Sequence, residues 1–503
     1  MSLLDRLVAL IKGLKPGGGT VERTVKSAAW LMSQNVVGRA LQLGLLAVLA
    51  RLIGPAELGL VGIAMLALSA TQQFTTIGLN KALIQKVEED VDSHLNTTWM
   101  LEIGRGLLIA GILFAIAPFV GEWFFDEPRA VRIIQAIGLS PLLLGFRNPG
   151  IVYFQKNLDF HKQFVYKVGG DTGQFVVGVG YALIEPTAWA FVFGFLAADV
   201  VKLVLSYAIH DYRPFPSFDM EVAKELVDYG KWLTGSSILY FLYSEGDDAF
   251  VGWLLTPTAL AYYQYTYRFS NAPATELSQV LTSVMFPAYS KLQSSSEEMR
   301  KAFGKTLRFT ALVSFPASVG IAAIAPDFVM TVFGEDWLSA VPAMQVLAFY
   351  GLMRALVKTV GPVWQAIGRP DLITKLSALR VVLIAIFIYP MTNAYGIVGT
   401  ALTVTGVFVF PMLPLDIYIM SRCIDMRMRD IYYEFLYPFV ASVPMGLTVW
   451  YLAGASPFSS LVNLVLLIPT GALIYGALVL LLEFLTRWTV TDSFEQIYRN
   501  LSA

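Results

Sequence analysis

Tyr243-Ser-Glu-Gly-Asp-Asp-Ala-Phe-Val-Gly252 sets three carboxylates, Glu245, Asp247 and Asp248, in a stretch that otherwise reads as a membrane helix. A carboxylate at that depth costs a few kcal/mol even on insertion scales, so it needs a cationic partner, water or an ion. Candidate partners are present, because Arg39, Arg268, Arg354 and Lys358 also fall in or beside apolar stretches. Charges spread in this way over a many-helix bundle imply a wet central path of the kind a transporter needs.

Around that segment the composition is that of a bilayer protein. Apolar types make up 56% of the 503 residues and charged types 15%, against about 25% charged in soluble domains. Apolar stretches of ~18 to 25 residues recur from end to end, each able to cross ~30 Å of hydrocarbon as a helix. They are continuous rather than alternating, which argues against a strand barrel. A net charge of −1 leaves no footprint for nucleic acid. The one cysteine, Cys423, leaves no internal disulfide and excludes most cysteine-based metal sites. His94, His161 and His210 lie at loop-like positions without metal-ligand spacing, so each reads as a solvated loop residue and no metal is expected.

Apolar length and Gly/Pro punctuation place about fourteen spans. They are Ser27–Ala50, Leu58–Gly78, Asn96–Pro118, Val131–Phe146, Phe164–Ile184, Ala188–Ile209, Tyr229–Leu254, Ala259–Phe286, Phe303–Ala325, Ala340–Ile367, Leu372–Pro390, Ile397–Met420, Ile431–Ala453 and Ser460–Leu485. Met1 to Leu14 is a short amphipathic run with Arg6, Lys12 and Lys15, not a cleavable signal; it reads as a helix on the cytoplasmic surface or as a disordered tail. One set of connections carries Arg6, Lys12, Lys15, Lys81, Lys86, Arg147, Lys156, Arg300, Lys301, Arg427 and Arg429 among others, while the opposite set holds Arg51, Arg129 and Arg132. That asymmetry puts both termini in the cytoplasm. The longest inner loops, Asn80–Leu95, His210–Asp228 and Lys291–Ala302, are too short to build a core, so an appended catalytic domain, and an enzyme, are not expected.

The chain also repeats itself. Trp30 and Pro55 have the same spacing as Trp232 and Pro257, and Arg51-Leu-Ile-Gly-Pro-Ala-Glu-Leu-Gly59 aligns with Trp253-Leu-Leu-Thr-Pro-Thr-Ala-Leu-Ala261. The expected fold class is therefore an all-α polytopic membrane protein with two six-helix lobes and two further C-terminal helices. The boundaries are a cytoplasmic N-terminal segment (1–26), a first lobe (27–210), a second lobe (211–421), and the extra helices with a cytoplasmic tail (422–503). Halves of six spans start on the same side of the membrane, and substrate sites in such folds lie between the halves near the midplane.

Several motifs along this frame are familiar. Leu49-Ala-Arg-Leu-Ile-Gly-Pro-Ala-Glu-Leu-Gly59 followed by Ile77-Gly-Leu-Asn-Lys-Ala-Leu-Ile84 resembles the start of polysaccharide exporters of the oligosaccharide flippase type. Asn157-Leu-Asp-Phe-His161 is similar to their inner loop after the fourth span. Asp248-Ala-Phe-Val-Gly252, Leu260-Ala-Tyr-Tyr-Gln-Tyr-Thr-Tyr-Arg268 and Val284-Met-Phe-Pro-Ala-Tyr-Ser-Lys-Leu292 resemble the signature of their seventh and eighth spans. Phe333-Gly-Glu-Asp-Trp337 and Ala366-Ile-Gly-Arg-Pro-Asp371 match the pattern around the tenth. Thr256 departs from it, since these proteins usually carry glycine before that proline. The resemblance covers nearly the whole chain and implies membership of the multidrug/oligosaccharidyl-lipid/polysaccharide exporter superfamily. It implies two lobes around a central cavity, alternating access, and a cargo of sugar units on a polyprenyl phosphate or diphosphate carrier.

With a phosphate-bearing cargo, the charges acquire candidate roles. Arg39 is mid-span, roughly 18–20 Å along the helix from Lys26, too deep to snorkel easily, which favours a cavity-facing phosphate contact over a structural ion pair. Arg354 and Lys358, one turn apart, repel unless an anion bridges them. That anion is either a substrate phosphate or the carboxylates of the seventh span. Arg268 is a further substrate-binding candidate, although a place near a helix end as an interface anchor is favoured. Glu245, Asp247 and Asp248 either bind Na⁺ or H⁺ as coupling ion or neutralise the arginines; the resemblance supports Asp248. An inside-negative potential of about 100 mV by itself contributes roughly 4–5 kcal/mol to moving two negative charges outward, which weakens the need for a coupling ion. Glu102 with Arg105, and Lys167 with Asp171, have spacings that suit local ion pairs. Tyr262, Tyr263, Tyr265 and Tyr267 read as interface-belt residues in preference to a sugar-stacking surface.

The function expected is a plasma-membrane flippase for polyprenyl-linked oligosaccharide in surface glycan synthesis, with no cofactor beyond a coupling Na⁺ or H⁺. Its partners would be the lipid-linked glycan, membrane lipids, and a glycan polymerase or glycosyltransferases of the same pathway, with no nucleic acid. The rival readings are a drug–cation antiporter of the same fold, a membrane glycan polymerase or transferase, and a non-transporting scaffold. The short outer connections argue against the enzyme.

Overall fold

Apolar runs can satisfy their backbone in a bilayer as helices, and every regular element among the described residues is helical. The computed structural model describes residues 20–75, 92–157, 159–293 and 295–486. The expectations for the N-terminal run, for Lys81, Lys86 and the Ile77–Ile84 motif, and for the tail beyond 486 fall outside the described residues. Among those residues nine helices are long and apolar enough to cross a membrane, or ten if Arg129–Gly145 and Pro149–Lys156, bent by 77°, form one span.

Two units divide the chain, Met1–Thr258 and Ala259–Ala503. In the first, α1 (Thr20–Ile53) and α2 (Pro55–Phe74) meet at Gly54, whose φ of 84° is a left-handed conformation that suits glycine. Pro55 follows as the first residue of α2, where its missing N–H leaves no bond unmade. Then come α3 (Asp92–Pro118), α4 (Arg129–Ile137), α5 (Ser140–Gly145), α6 (Val152–Lys156), α7 (Phe160–Ala182), α8 (Trp189–Ile209) and α9 (Met220–Leu254). Asp219 caps α9 by accepting from the N–H groups of Glu221 and Val222. α7 and α8 pack along one another on small residues; a Cβ added to Gly194 would stand 2.8 Å from the Gln174 carbonyl oxygen. α9 packs along α2 and α3. α9 lies within the first unit.

The repeated motif has a local counterpart. Pro257 opens α10 (Pro257–Leu292) just as Pro55 opens α2. Thr256 takes the place of Gly54 in the alignment, and it is absent from the residues with positive φ. The second turn closes without a left-handed residue, so it has no need of the glycine. At the α2 end, Glu57 accepts from Arg129 Nη1 at 3.1 Å and from the Ala188 N–H at 3.0 Å, joining α2, α4 and α8. Arg129 also bonds Glu127 and holds that carboxyl below its ordinary range. This contact is therefore present at neutral pH and is lost as the pH falls through the carboxylate range.

In the second unit α10 is followed by α11 (Ser296–Val332), α12 (Val341–Lys358), α13 (Val360–Ala366), α14 (Asp371–Val407), α15 (Leu413–Cys423), α16 (Met428–Ala455) and α17 (Ser460–Leu485). α11 packs against α12, α16 and α17. Arg308 on α11 forks onto Glu434 of α16 through Nε at 2.7 Å and Nη2 at 2.8 Å. α14 is not one rod. Thr392 and Thr400 are eight positions apart, about 12 Å along a straight helix, yet their hydroxyls meet at 2.7 Å. The chain reverses between them at Gly396, with φ 57° and ψ −139°. Arg380 on α14 is buried against Asp416 of α15, with Nη2 to Oδ2 at 2.5 Å and the guanidinium over the Phe408 ring.

Two stability predictions follow from this packing. A Cβ on Gly59 of α2 would collide with the Pro257 carbonyl group, so Gly59→Val should cost about 1–3 kcal/mol through overpacking. Thermal unfolding in detergent would show it as a lowered midpoint. Removing one partner of a buried ion pair typically costs about 3–5 kcal/mol, while replacing both by apolar residues is often neutral. Arg380→Met should therefore destabilise the protein more than the double variant Arg380→Met/Asp416→Leu in the same assay.

Candidate functional site

Three helices long enough to cross a membrane are missing from the apolar set: α7 (23 residues), α9 (35) and α10 (36). They carry most of the candidate residues. On α9, Glu245, Asp247 and Asp248 are all half-buried, and Glu245 Oε1 accepts from Ser69 Oγ of α2 at 2.9 Å. The first unit thus orients at least one of these groups through a neighbouring helix.

Arg39 is half-buried on α1, and its Nη1 donates to Gln42 Oε1 at 3.1 Å. The adjacent Gly38 packs against α7, where a Cβ would lie 3.1 Å from Asp171 Oδ2. On α8, the Lys202 stem fills the space beside Gly170, too closely for any side chain there. Arg39, Asp171 and Lys202 are in this way held by helices packed on α7. The pair Lys167–Asp171, suggested by its spacing, does not close at ion-pair distance, whereas Arg105 and Glu102 do meet at 3.7 Å. Gly170 accounts for the difference. It makes room for the Lys202 stem, and the Asp171 carboxylate turns toward Gly38.

In the second unit Arg354 of α12 is framed by two tyrosines. Its guanidinium carbon lies 5.6 Å from the ring centre of Tyr267 on α10 and 5.6 Å from that of Tyr350 one turn back on its own helix. Arg354 Nη1 also donates to the Tyr267 hydroxyl. Lys358 follows one turn on, half-buried, and makes no ion pair among the described residues. Next to this frame Asn271 is 2% exposed; its Nδ2 donates to the Tyr267 carbonyl, and its Oδ1, against Gly351, has no hydrogen-bond donor. Arg268 is half-buried in the interior of α10, eleven positions after Pro257, rather than at a helix end.

The tyrosine run does other work than expected. Tyr263 and Tyr265 are buried, Tyr265 packs on Phe333 and Trp337, and Tyr262 donates to the Asp336 carbonyl at 2.6 Å. Tyr262 and Tyr265 belong to the packing of α10 against the segment before α12, and Tyr263 lies beside Tyr267 on α10. Tyr267 alone reaches the charged group. The 350/354 spacing could have signalled the Tyr350 contact in the sequence. Asp199, Lys202, Arg380 and Asp416 were also legible as charges in apolar runs, but their partners were not. Among the described residues no cluster of three or more His, Cys, Asp or Glu side chains is arranged to hold a metal ion.

Comparison with known proteins fits this arrangement. Lipopolysaccharide biosynthesis protein WzxC of Escherichia coli is 26% identical over 383 residues, 76% of this chain and 77% of that protein. Succinoglycan biosynthesis transport protein ExoT of Rhizobium meliloti is 22% identical over 458 residues, 87% of this chain and 88% of its own. Among solved structures, lipid II flippase MurJ in an inward closed conformation superposes with a TM-score of 0.73 at 14% identity, covering 92% of this chain and 99% of that one. This likeness shows a shared helical fold. Residues 48–342 match the polysaccharide biosynthesis protein family. Since that match runs over more than half of its length, the chain belongs to the polysaccharide biosynthesis protein family.

Proposed function

We propose that the protein is a flippase that carries polyprenyl phosphate- or diphosphate-linked oligosaccharide from the inner to the outer leaflet by alternating access. The observation that carries this reading is the Arg354–Lys358 turn. Two cations share one turn of a membrane helix, Arg354 is held by tyrosine rings, and Lys358 has no carboxylate at ion-pair distance among the described residues. Like charges so placed repel, and an arriving anion relieves the repulsion. A phosphate is such an anion, and the arginine fork can bind two of its oxygens. A cationic drug would meet repulsion here instead.

Arg39 supplies a phosphate contact in the first unit, and Arg268 a further one in the second. Asp248, with Asp247 and Glu245, couples the cycle to Na⁺ or H⁺ or balances the arginines. Sugar hydroxyls cost several kcal/mol each to bury without partners, so a hydrated path for the headgroup removes the main barrier while the lipid tail stays in the bilayer.

The finer architecture in this reading is fourteen crossings in two six-helix lobes plus α16 and α17, counting the nine apolar spans, the bent pair, the polar helices α7, α9 and α10, and a division of Asp371–Cys423 at Gly396; the nine spans and the break at Gly396 support it. Both termini are cytoplasmic in this reading, which the excess of basic residues on one set of connections supports. A polymerase or glycosyltransferases of the same pathway would take up the exported units. No bond is made or broken in this reading.

In a strain deleted for the gene, the wild-type protein should restore surface glycan, and Arg39→Ala should insert and fold yet leave lipid-linked glycan accumulating on the cytoplasmic face. Normal export by Arg39→Ala would remove that residue from the path, and no change in either glycan pool upon deletion would sink the flippase reading. A finer test uses Tyr267→Phe, which keeps the ring and loses the hydroxyl bonded to Arg354. A hydrogen bond to a charged group contributes about 1.5–3 kcal/mol, so flipping of fluorescent lipid-linked glycan in liposomes should slow by about tenfold or more.

A further inference from the structure

The corner between α15 and α16 has no part in the flippase reading. Arg422 lies in the last turn of α15, Arg427 just before α16 and Arg429 in its first turn, and all three are exposed. The Arg422 guanidinium carbon lies 5.6 Å from the ring centre of Tyr418, and that of Arg429 lies 5.9 Å from the ring centre of Tyr433. Each tyrosine is one turn from its arginine on the same helix, the spacing that brings two side chains together. None of the three arginines makes an ion pair among the described residues.

The carboxylates around this corner are engaged elsewhere. Asp425, at its tip, pairs with Arg300 of α11 at 3.6 Å, Asp416 of α15 is buried against Arg380, and Glu434 of α16 takes the Arg308 fork. Asp430, half-buried on α16, is the carboxylate left to set against the three cations. Arg300 also fixes the shape of the corner, since its Nη1 donates to the Asp425 carbonyl at 3.0 Å. The Met426 N–H closes the turn on the Ser421 carbonyl at 2.9 Å. The excess positive charge therefore projects from a clamped turn.

Depth in the membrane is legible from the side chains that follow. Along α16, Arg429 is succeeded by exposed Tyr432 and Tyr433 and then by exposed Leu436 and Phe439. Back along the chain from Arg422 come exposed Tyr418 and, before α15, exposed Phe410. Both paths run from cation through tyrosine to apolar surface, the order of a membrane–water interface. At that depth lie the lipid phosphates, and a guanidinium fork can take two phosphate oxygens. A headgroup with net negative charge gains from the excess cations what a zwitterionic one does not.

We infer that the α15–α16 corner is a binding site for an anionic phospholipid of the adjacent leaflet, with Arg422, Arg427 and Arg429 on its phosphate and its acyl chains along the exposed face of α16. Tyr418 and Tyr433 hold two of the arginines in place without cancelling their charge. The site rests on this geometry and not on the flippase reading.

Native mass spectrometry of the purified full-length protein, given equal amounts of phosphatidylglycerol and phosphatidylcholine, tests it. Wild type should retain phosphatidylglycerol in preference, and the triple variant Arg422→Gln/Arg427→Gln/Arg429→Gln should lower that preference by about tenfold or more. Equal retention of the two lipids by wild type, or a preference unchanged in the triple variant, overturns the site. If the triple variant fails to insert, the three single substitutions decide in the same way. Displacement of phosphatidylglycerol by inorganic phosphate would make the corner a free-anion site and overturn the lipid assignment. A triple variant that keeps phosphatidylglycerol but loses lipid-linked glycan extracted from the deletion strain would assign the corner to the cargo, and would likewise overturn it.

Discussion

Hydrocarbon offers a charged side chain neither water nor counter-ions, and the protein answers that constraint in two ways. Where a charge is part of the frame, it is closed by its opposite. Arg308 forks onto Glu434, and Arg380 is buried against Asp416. Such pairs add little net stability over an apolar isostere, but they penalise every arrangement in which the partners separate. The first ties α11 to α16, far apart in sequence, and the second ties α14 back onto the α15 that follows it. Arg354 lies over the ring faces of Tyr267 and Tyr350, and Lys358 has no carboxylate at ion-pair distance among the described residues.

The same division governs the helices. Most of the long helices among the described residues are apolar throughout, whereas α7, α9 and α10 are long enough to cross but more polar. α7 carries Lys167 and Asp171, α9 the three carboxylates, and α10 Tyr267, Arg268 and Asn271. A helix of this composition is stable in a bilayer only if neighbours cover its polar groups. Small residues make that possible. Gly170 admits the Lys202 stem, and Gly38 lets α1 approach the Asp171 carboxylate.

This explains what could be read from the chain and what could not. Span positions follow from apolar length, and Pro55 and Pro257 mark matching helix starts because proline suits the first turn of a helix wherever the fold puts one. The candidate charges were visible because any charge in an apolar run is conspicuous. Their partners were not. Arg380 and Asp416 are 36 positions apart and Arg308 and Glu434 are 126 apart, and no local period connects them. Lys167 and Asp171 had the spacing of an ion pair, but tertiary packing around Gly170 overrode it. The tyrosines of α10 were misread for a similar reason. Alternation on a helix says which residues share a face, not whether lipid, a second helix or a guanidinium covers that face.

In the role proposed for Arg354, contacts with tyrosine suit a group that is to meet an anion. A carboxylate would satisfy the guanidinium by cancelling its charge, and a phosphate would then have to displace it. Two ring faces stabilise the cation by about 0.5–2 kcal/mol each while leaving its charge intact. They also fix the plane of the fork, so less rotamer freedom is lost when the phosphate arrives. The interaction is strong enough to position the side chain and weak enough not to compete with the cargo. A flippase has to release what it binds on the far side of the membrane, and under the proposed reading Arg354, oriented by Tyr267 and Tyr350 beside Lys358, would hold a phosphate only while that geometry lasts. Small displacements of α10 against α12 would separate Tyr267 from Arg354 and dismantle the site without moving either charge out of the protein.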